Sequence, residues 1–190
     1  MSATNTNSPF GFRPLMSTLS GAPCRIAEYG KPSSDSQVLS LWDLVYAVAA
    51  AVIVPGGSPA ATAVPGVSSY YGATPGTTPI LGTSLNFSLA STLNLVYVVD
   101  SIDALFAAQV VSTTTMTATL AHNTANVKLT TVGSTTTHLS GMQLNTPATT
   151  STLDMRITKL LNVPPNLEGT SAIVECIINR HQLGQQVAGV

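Results

Sequence analysis

The chain has 190 residues, of which 44% are hydrophobic and only 8% charged, with seven basic and eight acidic side chains giving a formal charge of −1. An average soluble domain is roughly 25% charged, so the surface must rely on hydroxyls and amides, and so weak a field disfavours binding to DNA or to an acidic membrane. The length suits one domain with an extended tail rather than two domains, and weak self-repulsion favours close contact between subunits.

Residues 1 to 7 are uncharged and polar, unlike a secretory signal, which points to a cytoplasmic origin. The segment "NSPFGFRP" then places Phe10, Gly11, Phe12, Arg13 and Pro14 together near the chain end. Residues 1–20 are expected to form an extended docking arm, with residues 21–190 as one β-rich domain. The alternative is an arm folded back on its own domain. Up to residue 37 the chain reads as irregular connection, with a short strand expected around Cys24 to Tyr29.

The run "VLSLWDLVYAVAAAVIV" (38–54) fits a helical stripe at Leu41, Leu44, Val45, Val48 and Val52, yet its Val, Ile, Trp and Tyr content favours a strand, which is the reading preferred here. Its apolar part is shorter than the roughly 20 residues a spanning helix needs. Pro-Gly pairs at 55–56, 65–66 and 75–76 predict turns at about ten-residue spacing.

Further on, "LVYVV" (95–99) and "ALFAAQVV" (104–111) read as strands around a turn seeded by Asp100, Ser101 and Asp103. "TMTATLA" and "NVKLTTV" read as half-buried strands. "STTTHLSGMQL" reads as a strand in which Gly141 marks a bulge or a close backbone approach. "TLDMRITKLL" alternates Leu153, Met155 and Ile157 against Asp154, Arg156 and Thr158. "NVPPNLEG" must be a loop. "AIVECIINRHQL" gives a last strand buried on nearly both faces. The sum is an all-β fold, a jelly-roll-like β-sandwich or barrel, whose poorly charged edges call for closure or oligomerisation.

Chemistry-bearing motifs are weak. Cys24 and Cys176 make neither a zinc set nor a CxxC pair and read as buried apolar thiols or, alternatively, a disulfide. His122, His138 and His181 have no metal-ligand spacing and read as surface or strand histidines. Asp100 and Asp103 are explained by turn formation without catalysis. Ser58 after Gly56-Gly57 starts no phosphate-cradling helix, and no GxSxG elbow occurs. The sequon "NFS" (86–88) is meaningful only after secretion. "NRHQ" (179–182) reads as solvated side chains or an interface. No catalytic residue, metal or cofactor is expected, and the chain is not expected to be an enzyme.

Four features occur in order: "GFRP", then "LVYVVDSIDALFAAQV", then "GSTTTHLSGMQL", then "TLDMRITKLLNVPPNLEG" leading into "ECIINRHQLG". Together they resemble the head decoration, or cement, proteins of tailed double-stranded DNA bacteriophages, over the arm and roughly the C-terminal half. The resemblance implies a virion protein, made in the bacterial host cytoplasm, that binds the outside of an icosahedral head. There it would bridge subunits of the major capsid protein, as a homo-oligomer (dimer or trimer), and reinforce the shell against packaged DNA. In that setting Phe10 and Phe12 would insert into apolar grooves of the capsid or a neighbouring copy, each contributing roughly 1.5–3 kcal/mol. Gly11 would permit close approach, Arg13 would pair with an acidic or carbonyl-rich partner, and Pro14 would stiffen the exit. A tail, neck or fibre component is the first rival, then a carbohydrate-binding sandwich, for which 5% aromatics is meagre.

Overall fold

The computed structural model describes residues 5–53, 63–129 and 131–184. Within them lie twelve strands: β1 (Arg13–Ser17), β2 (Ile26–Lys31), β3 (Leu44–Ile53), β4 (Ala63–Ser69), β5 (Gly82–Ser84), β6 (Asn94–Val99), β7 (Ala104–Gln109), β8 (Thr124–Ala125), β9 (Val127–Lys128), β10 (Gln143–Leu144), β11 (Met155–Leu160) and β12 (Ile173–Ile178). Two 3₁₀ turns, Tyr70–Gly72 and Ala118–Leu120, are the helical elements among the described residues. None is long and apolar enough to cross a membrane. The all-β expectation holds, and the ambiguous run from Leu44 is a strand.

The strands divide into a five-stranded antiparallel sheet in the order β1-β7-β12-β11-β8, a closed barrel β2-β4-β3-β5-β6, and a small ribbon β10-β9. β12 has a neighbour on either side, so its backbone donors and acceptors are paired, and Val174, Cys176 and Ile178 are buried. β7 is buried along its whole length. In β11 the predicted alternation places Met155 and Ile157 inside and Arg156 outside, until a register shift between Ile157 and Lys159 breaks the period.

The barrel closes through one parallel register pair, Gly30 with Gly66. It is filled by Tyr29, Leu39, Val45, Val67, Leu81, Val96 and Val98. A Cβ on Gly82 would come within 2.0 Å of the Val99 carbonyl oxygen, so β5 can approach β6 only with glycine there. A larger core joins barrel to sheet: Leu44, Tyr70, Ile80 and Val99 from one meet Phe106, Met155, Ile157 and Val174 from the other.

The turn at 100–103 lies between two strands as expected, and since β6 pairs inside the barrel and β7 inside the sheet it is a crossover between them. Other local expectations fail for identifiable reasons. Pro65-Gly66 lies inside β4, where a register shift opposite Val48 and Val52 absorbs the missing donor. Pro75-Gly76 is a turn as predicted, and Pro55-Gly56 falls outside the described residues.

"TMTATLA" is no strand. Met116 exchanges two backbone bonds with Gly169, after which the chain coils, with Ala118 N–H donating to Glu168 and Thr117 bonded to Thr119. In "STTTHL" the Ser134 hydroxyl accepts from the amides of Thr136 and Thr137, building a turn. In both places hydroxyl side chains bond locally and compete with a ladder. Gly141 does mark a close approach, since a Cβ there would sit 2.3 Å from the Thr131 carbonyl oxygen.

Candidate interaction surface

The N-terminal segment folds onto its own domain. Gly11 adopts φ +80°, and a side chain there would meet Ser140 Cβ at 2.4 Å. This close passage delivers Phe12, which is 0% exposed, into the core between barrel and sheet. Its amide donates to the Trp42 carbonyl at 2.9 Å, and its carbonyl accepts from Thr83 Oγ1 at 3.1 Å. Arg13–Ser17 then joins the sheet as β1 against β7.

Amide side chains fasten what precedes. Asn5 bonds Leu167 and Thr170, Gln109 donates to the Thr6 carbonyl and accepts from Ser8 N–H, and Gln143 donates to Asn7. The expectation that Phe12 inserts into a partner is therefore corrected: its own core occupies it. Phe10 is half-buried with its ring edge-on to Trp42, 6.3 Å between centroids, and exposed Arg13 holds its guanidinium 6.0 Å from the same ring. Pro14 is half-buried in β1 opposite Phe106. Of the four predicted residues, three remain at the surface.

Beside this segment lies an exposed apolar tip that no sequence pattern marks. Leu19 is 87% exposed, Ile102 56%, Ile26 55% and Met16 44%. They belong to three stretches tied to one another: Thr18 N–H donates to the Asp103 carbonyl at 2.8 Å, Ser17 Oγ donates to the Asp103 carboxylate, and Arg25 N–H donates to Ser101 Oγ at 3.1 Å.

Asp100 secures the base of the tip. Its buried carboxylate accepts from Arg25 Nε at 3.0 Å, Arg25 Nη2 at 2.6 Å and Tyr29 O–H at 2.7 Å. Burial, then the Asp100 bond and charge, push the Tyr29 phenol up to about 12. Asp100 and Asp103 thus bind separate segments and do not act as a pair.

Elsewhere the buried polar groups join elements. Asp154 is fully buried and accepts from Tyr70 O–H (3.0 Å), Gly76 N–H (2.8 Å) and Val127 N–H (3.0 Å). Asp43 is also fully buried. One oxygen accepts from Ser40 N–H at 2.7 Å while Oδ1 has no hydrogen-bond partner among the described residues. Burial pushes its carboxyl up to about 7, moderated by Ser140, the Ser40 amide and Ser69.

"NRHQ" is a clasp whose side chains bond to neighbouring segments, with Asn179 and Gln182 exposed to solvent as read and Arg180 half-buried. Asn179 donates to Ser151 and Leu153, Arg180 to Gly76 and Thr77, and Gln182 accepts from Ala47 N–H on the barrel. His181 in the middle is buried and bridged to Ile80, which fits the strand alternative and not the surface one, and burial pulls its pKa down. His122 and His138 are exposed, the latter stacked on Phe87 with ring centroids 4.1 Å apart. Cys24 and Cys176 are both free thiols, each with a pKa raised chiefly by burial. Among the described residues no three His, Cys, Asp or Glu side chains group as metal ligands.

No protein-family model, curated protein or solved structure matches the chain.

Proposed function

We propose that this chain is a structural protein of a tailed-phage head: a cement protein that sits on the outer face of the icosahedral shell and bridges major capsid protein subunits, as a homo-oligomer. The observation that carries the reading is the exposed apolar tip of Met16, Leu19, Ile26 and Ile102 next to the strapped N-terminal segment. Large exposed aliphatic side chains rimmed by polar residues are a common mark of a protein–protein contact surface. The sequence resemblance and the charge-poor composition favour the same conclusion.

In this reading the sheet and barrel together serve as the jelly-roll-like body, and docking uses the tip with Phe10, Arg13 and Pro14, not Phe12. A contact near the usual size, roughly 800 Å² per partner, would hold each copy modestly. Binding the assembled shell but not its loose subunits would stabilise the assembly by linkage, summed over many identical sites. No bound cofactor, nucleic acid or membrane, and no catalysis, enters this role.

Copy number in purified particles is the decisive measurement. A ratio approaching one chain per shell subunit supports the cement role. A few copies per hundred would move the protein to the tail, neck or fibre, the second reading that the same composition permits.

A further inference from the structure

The fate of the seven cationic side chains singles out one. Arg25 pairs with Asp100, Lys31 with Asp35 and Lys159 with Glu175; Arg180 donates to the carbonyls of Gly76, Thr77 and Thr152, and Arg13 lies by Trp42. Among the described residues only Lys128 and Arg156 are left without an ion pair or an assigned contact. Lys128 sits exposed on β9, whereas Arg156 lines a cavity of about 270 Å³ together with His122, Asn123, Thr149, Ser151 and Asn179.

Polar side chains make up most of its lining, and among the described residues none of them is a carboxylate. Its frame is fixed: His122 N–H donates to the Ile157 carbonyl at 2.8 Å, Ile157 N–H donates to Asn123 at 2.9 Å, and the Asn179 amide is held by Ser151 and Leu153. His122 is placed by a left-handed backbone, φ 69°. The side-chain donors of Arg156, His122, Asn123, Thr149 and Ser151 make no hydrogen bond among the described residues. A guanidinium fork with imidazole, amide and hydroxyl donors around it is the chemistry that recognises an oxyanion. The volume lies just below the usual small-ligand range of roughly 300–1,000 Å³, which limits the occupant to a single small group.

We propose that the cavity between His122 and Arg156 is a binding site for a small oxyanion, a carboxylate or a phosphate group. This goes beyond the cement reading and stands whether or not that reading does. The oxyanion could be free in solution or the end of an acidic side chain on another protein, and the test separates the two.

The full chain is titrated with inorganic phosphate, with acetate and with N-acetyl-glutamate N-methylamide, and its amide and imidazole resonances are followed by NMR. The expected result is saturable shifts centred on His122, Asn123 and Arg156, with a dissociation constant on the order of 1 mM for at least one probe. Arg156→Gln should weaken binding by about tenfold or more, Arg156→Lys should recover part of it, and Lys128→Gln should change nothing. Tighter binding of the glutamate amide than of acetate and phosphate assigns the site to a protein side chain, and the reverse assigns it to a free ion. Shifts that stay linear to high concentration with all three probes would overturn the proposal, as would equal binding by a folded Arg156→Gln variant.

Discussion

In the five-stranded sheet the inward side chains are apolar almost throughout, with Phe106, Ala108, Met155, Ile157, Val174 and Cys176 forming a continuous layer. The barrel and its junctions differ. There Lys31 is fully buried against Asp35 and the Leu89 carbonyl, Asp43 is fully buried beside Ser40, and Ser69, Thr83 and Ser84 are buried as well. The sheet is held by burial of apolar area, which tolerates approximate fits. The barrel depends on hydrogen-bond partners, and the loss of one leaves another group stranded.

The largest expected effect tests where the N-terminal segment belongs. Phe106→Ala, in the sheet, and Phe12→Ala, in the segment, should each cost about 3–5 kcal/mol in urea unfolding. A loss below about 1 kcal/mol for Phe12→Ala would mean that the segment is an appendage after all. Next, Asp154→Asn replaces one acceptor oxygen by a donor facing Tyr70, Gly76 or Val127, and should cost about 2–3 kcal/mol. An apolar layer with no such network would not respond.

The third prediction concerns pH. An unfolded Asp43 titrates near 3.8, and the folded carboxyl near 7, so the folded state holds this proton more tightly. The stability it contributes is full below 3.8 and is lost as pH rises to about 7, with a steepest slope of about 1.4 kcal/mol per pH unit. Unfolding measured across this window should show the decline, and Asp43→Asn should flatten it. An unchanged slope in the variant would assign the effect to other groups. Smallest of all, Leu19→Ser on the exposed tip should shift stability by no more than about 0.5 kcal/mol. The same variant should lose shell binding in a co-sedimentation assay. Retained binding would remove the tip from the proposed interface.

The legible parts were those where local pattern and tertiary setting agree. Residues 155–157 alternate because one face of β11 is covered, and in β12 Val174, Cys176 and Ile178 are buried on one face while the other carries half-buried Ile173 and Ile177 around the buried Glu175. Misreadings fell where Thr and Ser fill a strand-like pattern, at 116–120 and 134–138, since a hydroxyl can complete a ladder's surface or replace the ladder by bonding its own neighbours. Asp154 sits at a position the alternation assigns to solvent, yet it is buried because three donors from distant segments converge on it.

By itself the sequence determined that the chain builds strands, that its surface carries little charge, and which short stretches are apolar enough to be core, because these follow from side-chain shape and local period. Only the tertiary structure decided that Phe12 is core and Leu19 is surface, that the 100–103 turn crosses from barrel to sheet, and that Arg156 lines a cavity with no acid in it among the described residues. Exposure and partnership depend on residues far away in the chain, and a local pattern carries no information about which of them arrive.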